Sequence, residues 1–170
     1  MSYTELKIAE KNGSVRAYKR YANAWGGFSY IWDSIWSKYL SQTENDSWLF
    51  SEKNQIRLLN SVFDESIPGW IRLIHASTSY GAIVEYNKLL IISEYYKRFI
   101  ETFPPNNRVC HLSSWSEDCI KIYNEKNSEN CVGICFLCGS VNEDLWEDYN
   151  LSKGDKHWFV FKRYSDIIGV

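Results

Sequence analysis

An Asn-Gly pair near the start of the chain, Asn12-Gly13, constrains its fold more than any other short segment. Apolar and charged residues alternate on both sides of the pair, with Leu6 and Ile8 before it and Val15 after it. Asn and Gly both tolerate the positive φ angles that two-residue hairpin turns require. The sequence therefore predicts an N-terminal β-hairpin in which both turn residues have positive φ.

Apolar residues recur with helical spacing through the middle of the chain. In the segment 28–40 they occupy positions i, i+3, i+4, i+7 and i+8, and several are tryptophan or tyrosine. This pattern predicts an amphipathic helix with an aromatic face. Pro68 suits the first turn of a later helix, since its fixed φ is already helical. The predicted helices span residues 28–40, about 54–63, about 68–84, about 86–103 and about 113–124.

Two short apolar segments near the C-terminus are typical of buried strands. Residues 131–138 (CVGICFLC) and 158–161 (WFVF) are rich in β-branched and aromatic side chains. Together with the hairpin they predict an α+β fold, with one sheet built from an N-terminal hairpin and C-terminal strands and covered by a central group of four or five helices. No repeat or linker divides the chain, so we expect residues 1–170 to form a single domain.

The chain is rich in aromatic residues. Of its 170 residues, 8 are Trp, 12 are Tyr and 8 are Phe, against only 9 Gly and 3 Pro. Large apolar rings offset the entropy cost of ordering a chain, so this composition excludes a disordered or fibrous protein. The residues expected in the core are Trp32, Trp36, Tyr39, Phe99, Phe159 and Phe161.

The charge balance and the cysteines indicate a cellular compartment. The formal net charge is -2, whereas proteins that bind nucleic acid directly are usually basic. Uninterrupted apolar runs such as residues 89–92 are too short to span a membrane. The sequence contains five cysteines, and its first residues do not have the pattern of a secretory signal. We therefore expect a cytoplasmic protein with reduced thiols that binds neither membranes nor nucleic acid directly.

Cys135 and Cys138 form a C-x-x-C motif, which is the spacing of half a zinc site or of a redox pair. A structural zinc site needs four convergent ligands, and the rest of the sequence shows no second spacing of this kind. Residues three apart on a strand point to opposite faces of the sheet. We therefore predict buried strand thiols, with zinc and redox sites as alternatives, and no metal or cofactor.

The three histidines, His75, His111 and His157, lie outside recognised catalytic motifs. His75 falls on the predicted helix 68–84, where a hydrogen-bonded, half-buried side chain is expected. Successive side chains diverge, so the adjacency of Cys110 and His111 does not by itself make a catalytic pair. We predict no catalytic residues. The alternative is a small cytosolic hydrolase or transferase that uses His75, His111 or Cys110.

A short segment near the C-terminus combines four carboxylates with two aromatic residues. Trp and Tyr are common binding hot spots, and clustered acids accelerate association with a basic partner. A solvated short helix with an apolar side on the core is the structural alternative. The predicted partner-binding residues are Glu143, Asp144, Trp146, Glu147, Asp148 and Tyr149.

Several phrases of the sequence resemble small bacterial immunity proteins of polymorphic toxin systems, which accompany contact-dependent or type VI secreted toxins. They are Ala24-Trp25-Gly26-Gly27, Tyr30-Ile31-Trp32-Asp33, Lys38-Tyr39-Leu40, Ile67-Pro68, Ala82-Ile83-Val84, His111-Leu112 with Trp115, and Ser140-Val141-Asn142-Glu143 with Leu145-Trp146. The resemblance implies a cytosolic protein without catalytic activity that binds and blocks one cognate toxin. A basic nuclease fits the acidic segment, which has the charge to mimic nucleic acid. A regulatory or scaffold subunit is a further alternative.

Overall fold

A five-stranded β-sheet connects the two ends of the chain. The computed structural model describes residues 2–43, 46–78, 82–140 and 162–163. The strands are β1 (Ser2–Glu10), β2 (Val15–Ala22), β3 (Ala82–Glu85), β4 (Cys131–Ser140) and β5 (Lys162–Arg163). Their order across the sheet is β2-β1-β4-β3-β5. Neighbours among the first four are antiparallel, and β5 is parallel to β3.

The N-terminal hairpin is confirmed, but its turn differs from the predicted one. The backbone N–H of Gly13 donates to the Glu10 carbonyl, and the N–H of Glu10 donates to Ser14, both at 2.9 Å. Gly13 has a φ of 90° and Asn12 does not have a positive φ. The Asn12 side chain instead accepts from the Ser14 N–H at 2.8 Å. The turn is therefore a three-residue loop closed by a left-handed glycine, a common alternative to the two-residue turn.

β1 is one of the two inner strands of the antiparallel part of the sheet. It pairs with β2 on one side and with β4 on the other, where Leu6 lies opposite Phe136 and Ile8 opposite Ile134. The pairing of β1 with β2 shifts between Leu6 and Lys7, which leaves Tyr18 as an extra residue on β2. A bulge of this kind bends an outer strand and discourages pairing with other chains.

Five α-helices lie between the hairpin and β4, which confirms the α+β prediction. They are α1 (Phe28–Ile35), α2 (Glu52–Asn60), α3 (Gly69–Ser77), α4 (Leu89–Thr102) and α5 (Leu112–Glu125). The predicted helix 28–40 is α1 followed by a π-helical segment, Trp36–Leu40. The predicted helix 54–63 is α2 followed by a 3₁₀ turn, Ser61–Phe63. Two further 3₁₀ turns, Ala24–Gly26 and Tyr86–Lys88, precede α1 and α4.

The predicted helix 68–84 is wrong in its second half. Helix α3 ends at Ser77, and residues 82–85 form strand β3 beside β4. The Ser77 hydroxyl donates to the Ile74 carbonyl at 2.7 Å, a local side-chain bond that competes with helix continuation. Ala82 and Val84 pack into the main core, while Ile83 lies in a separate cluster on the opposite face of the sheet. Burial on both faces favours a strand here.

Aromatic side chains fill the core between the sheet and the helices. Trp115 of α5 is fully buried and stacks on Phe136 of β4 with 4.1 Å between ring centroids. Tyr96 of α4 meets the same indole edge-on. Gly27 lies against this ring so closely that a Cβ atom would be 2.4 Å from Trp115 Cζ2. A glycine is therefore required where the start of α1 crosses α5.

The predicted core aromatics divide into three groups. Trp36 and Phe99 are buried, as predicted. Trp32 and Tyr39 are half-buried and pack against the core. Phe159 and Phe161, together with the predicted strand 158–161, lie outside the described residues.

Candidate functional site

The predicted partner-binding segment, residues 143–149, lies outside the described residues. Its six predicted residues therefore stay predictions. The C-x-x-C motif, the histidines at positions 75 and 111, and the exposed surface of the helices are described.

The two cysteines of the C-x-x-C motif lie on opposite faces of β4, as predicted. Cys135 is fully buried in the small cluster with Ala9, Ile83 and Leu137, whereas Cys138 packs against the main core. Burial raises the pKa of the Cys135 thiol to about 12. The two sulfur atoms therefore cannot both bind one metal ion or form a disulfide without rebuilding the strand. Within the described ranges, no three His, Cys, Asp or Glu side chains form a metal-binding group.

His75 is buried in α3 beside Ser61, a pair that superficially resembles a catalytic serine and histidine. The Ser61 hydroxyl donates to the Leu58 carbonyl at 2.6 Å. Its oxygen also lies 3.3 Å from His75 Nδ1, and which of these two atoms donates depends on the tautomer of the ring. A general base must instead accept the proton of the serine. Burial also lowers the pKa of His75 to about 4, so the imidazole is neutral at pH 7.

His111 joins the start of α5 to the end of β2. Its Nε2 lies 2.9 Å from the carbonyl oxygens of Ala22 and Asn23, so it donates to them. Its backbone N–H donates to the Gly26 carbonyl at 2.7 Å. The adjacent Cys110 is half-buried, and burial raises the pKa of its thiol. Neither the imidazole nor the thiol is arranged as an activated nucleophile and its base.

A buried carboxylate ties β2 to α5. Asp118 accepts hydrogen bonds from the Tyr21 hydroxyl at 2.5 Å and from the Lys19 ammonium at 2.7 Å. Burial, followed by the hydrogen bond to Asp118, raises the pKa of Tyr21 far above its ordinary value. Tyr21 therefore remains a proton donor. This group fixes the outer strand of the sheet against the helices.

Two polar clefts lie near the turn of the hairpin. Their volumes are about 500 and 420 Å³, and Lys11 lines both. In the smaller cleft Arg16 pairs with Glu10 at 2.8 Å. The larger cleft is lined by Lys11 and Glu85, which have opposite charges, and by uncharged residues such as Tyr86 and Asn87.

The most unusual surface of the described chain is an apolar one, along α2. Ile56, Leu59 and Phe63 are 52%, 49% and 60% exposed, and Phe50, just before the helix, is 91% exposed. Positions 56, 59 and 63 have the spacing of one helix face. We call these four residues the α2 strip. Large apolar side chains grouped on one exposed face mark interaction surfaces more often than isolated ones do.

The α2 strip was not predicted from the sequence. Leu58 and Val62 are 1% and 2% exposed, so a second pair of apolar residues on the same segment already faces the core. Asn54 also anchors this side, because its amide donates to Asp46 and to the Ser47 carbonyl. A segment with apolar residues on two faces cannot bury both faces against one core. The second apolar face was therefore the feature of the sequence that could have predicted the strip.

Exposed acidic residues lie at both ends of the α2 strip. Glu52 opens the helix, and Asp64 and Glu65 follow Phe63. Hydrogen bonds from Ser66 hold the pKa of Asp64 below its usual range, so this carboxylate is ionised at pH 7. Lys53 is also exposed.

Arg57 and Arg72 lie near Asp64, and both are half-buried. The guanidinium of Arg57 lies over the Trp36 ring at 5.7 Å. Arg57 and Arg72 both favour the ionised form of Asp64. Together with Lys53, these arginines make three cations around the strip, as many as the carboxylates Glu52, Asp64 and Glu65.

No protein-family model, curated protein or solved structure matches this chain. In the described ranges, none of the helices has both the length and the apolar character needed to cross a bilayer.

Proposed function

We propose that this protein is a cytoplasmic, non-catalytic binding protein of the immunity type, which binds and neutralises one cognate secreted toxin. The observation that carries the proposal is the α2 strip. Three of its four apolar side chains, Ile56, Leu59 and Phe63, are exposed on one face of α2 and the 3₁₀ turn that follows it, and the other side of this segment is anchored in the core. Burial of such side chains by a partner is the main source of binding energy at protein interfaces.

The side chains considered for catalysis support a binding role better than an enzymatic one. One ring nitrogen of each histidine is engaged elsewhere in the fold: Nδ1 of His75 lies beside Ser61, and Nε2 of His111 bonds the end of β2. These two sites share no hydrogen-bonding residue in the described ranges, so the geometry gives no support to a site built from both. The resemblance to immunity proteins and the net negative charge support a basic toxin, such as a nuclease, as the partner.

The test is co-expression with the product of the adjacent upstream gene. We expect the two proteins to copurify and the cells to be protected, whereas a toxin from an unrelated gene pair should remain active. Absence of both a complex and protection would overturn the proposal.

The acidic segment is tested in the same system. Reversing the charges of Glu143, Asp144, Glu147 and Asp148 should slow association and reduce its salt dependence, with little change in the free energy of unfolding. Unchanged association kinetics would remove this segment from the interface.

A further inference from the structure

We infer that Asn12 is a site of self-modification, at which the backbone nitrogen of Gly13 converts the Asn12 amide into a carboxylate, and that the closed hairpin turn restrains this reaction. The two reacting groups and the hydrogen bonds that hold them all lie in the turn between β1 and β2. Neither the proposed toxin nor the α2 strip takes part.

The two reacting groups are adjacent in the chain. Cγ of Asn12 and the backbone nitrogen of Gly13 belong to successive residues, so a bond between them closes a five-membered ring. Groups held this close react far faster than the same groups on separate molecules. Glycine has no side chain to obstruct the approach. Asn12-Gly13 is the one Asn-Gly pair in the sequence, and Asn12 is exposed to water.

The reaction consumes water and no other reagent. The Gly13 nitrogen gives up its proton to hydroxide and bonds to Cγ of Asn12, and the Cγ–Nδ2 bond breaks with release of ammonia. Water then opens the resulting cyclic imide. Cleavage between the nitrogen and Cγ leaves aspartate, whereas cleavage between the nitrogen and the main-chain carbonyl carbon leaves isoaspartate, in which the chain continues through the side chain. In total, one water enters and one ammonia leaves.

The closed turn opposes the first step. The N–H of Gly13 donates to the Glu10 carbonyl at 2.9 Å, and Gly13 is buried. This hydrogen bond has to break before ring closure, because its proton is the one that the nitrogen loses. The Asn12 side-chain oxygen accepts from the Ser14 N–H at 2.8 Å, which fixes the orientation of the amide. One such hydrogen bond shifts an equilibrium by up to about tenfold, so the folded protein should react about tenfold more slowly than the unfolded chain.

The two products should differ in their effect on the hairpin. An aspartate at position 12 keeps a side-chain oxygen that can accept from the Ser14 N–H, and Asp suits such turns as well as Asn does. An isoaspartate adds a backbone atom to a loop that two hydrogen bonds to Glu10 already close. The aspartate product should therefore retain the stability of the wild type, and the isoaspartate product should lose some of it.

The first experiment follows position 12 by peptide mapping at mildly alkaline pH, in the folded protein and in the protein unfolded by guanidinium chloride. Synthetic peptides identify aspartate and isoaspartate by their chromatographic retention. We expect both products, formed about tenfold faster in the unfolded chain. No product at position 12 in the unfolded chain, aspartate without isoaspartate, or equal rates in the two states would overturn the inference.

Asn127 is the control within the same samples. It is exposed as Asn12 is, but it is followed by Ser128, whose side chain obstructs ring closure. In the unfolded chain, where both turns are open, Asn127 should react more slowly than Asn12. Equal rates at the two positions would remove the role of the glycine and overturn the assignment of Asn12 as the reactive site.

Hydrogen exchange and two variants test the restraint. In guanidinium concentrations below the unfolding transition, the exchange rate of the Gly13 amide and the modification rate should rise together. Asn12→Gln, whose side chain would have to close a larger ring, should give no product under the same conditions. Asn12→Asp should unfold at the same denaturant concentration as wild type, and the isolated isoaspartate form at a lower one. A modification rate that stays constant while Gly13 exchange accelerates would overturn the restraint by the turn.

Discussion

Neutral His75 should make this protein less stable in mild acid. Burial lowers the pKa of His75 to about 4 in the folded protein, against about 6.5 in an unfolded chain. Above pH 6.5 the imidazole is neutral in both states and the full stability is present. As the pH falls below 6.5, the unfolded state takes up a proton that the folded state does not, so the free energy of unfolding decreases. The decrease continues until the pH approaches 4, where folded His75 is also protonated.

The size of the effect follows from these two pKa values. Each pH unit in this window costs about 1.4 kcal/mol, so the whole interval from about 6.5 to about 4 costs on the order of 3 kcal/mol. At pH 5.5 the unfolded histidine is about ten parts protonated to one neutral, and the loss is about 1.4 kcal/mol. A loss of this size is large for a protein with an ordinary stability of about 5–15 kcal/mol.

Urea unfolding followed by tryptophan fluorescence under reducing conditions measures this loss. Wild type should lose about 1.4 kcal/mol more than His75→Gln between pH 7.5 and pH 5.5. Between pH 8.5 and 7.5 the two proteins should change in parallel, which serves as the internal control. His75→Asn provides a second variant if the glutamine is poorly accommodated beside Ser61. Equal pH dependence in wild type and both variants would refute a buried neutral histidine.

Three further results are expected. Gly27→Ala should lower the free energy of unfolding by about 1–3 kcal/mol, because its Cβ would collide with buried Trp115. Gly69→Ala is the control and should not lower this free energy, because the nearest atom to its Cβ is a side-chain nitrogen 3.9 Å away. Equal losses for the two variants in urea titrations would contradict the packing argument. Asp118→Ala should lower the free energy of unfolding by about 1–3 kcal/mol, because it leaves the buried Tyr21 hydroxyl without its acceptor. Asp118→Asn keeps an acceptor oxygen and should recover part of this loss in thermal unfolding. No recovery would argue against this role of Asp118. Ellman's reagent at pH 8 should leave Cys135 unmodified in the native protein and modify it in urea, as peptide mapping would show; rapid native modification would contradict its burial.

The segments predicted well from the sequence are those whose pattern is long or chemically specific. Asn12-Gly13 located the hairpin, and the sustained helical spacing of Ile92, Tyr96 and Phe99 located α4. The apolar character of residues 131–138 predicted β4. Because side chains alternate between the two faces of a strand, the sequence also predicted that Cys135 and Cys138 lie on opposite faces of the sheet. In each case local sequence and tertiary environment favour the same structure.

The errors arose where the structure depends on distant residues. β3 has four residues, and it is a strand because β4 pairs with Val84 and Glu85 on one edge and β5 pairs with residues 82 and 83 on the other, which no local pattern reveals. The α2 strip escaped prediction for a related reason. Ile56 and Leu58 are equally apolar in the sequence, and only the packing of the helix decides which one faces solvent. The turn of the hairpin differed because Asn12 uses its side chain to bond Ser14.

The position of β1 between β2 and β4 has a consequence for how the protein forms during synthesis. This strand leaves the ribosome before β4, yet one of its two edges pairs with β4, more than a hundred residues later. Until then the hairpin presents an open edge with apolar Leu6 and Ile8 on its inner face, so the nascent chain depends on chaperones or on rapid elongation to avoid wrong pairing. Slowing translation between the hairpin and β4 should therefore reduce the yield of folded protein more than slowing it after residue 140.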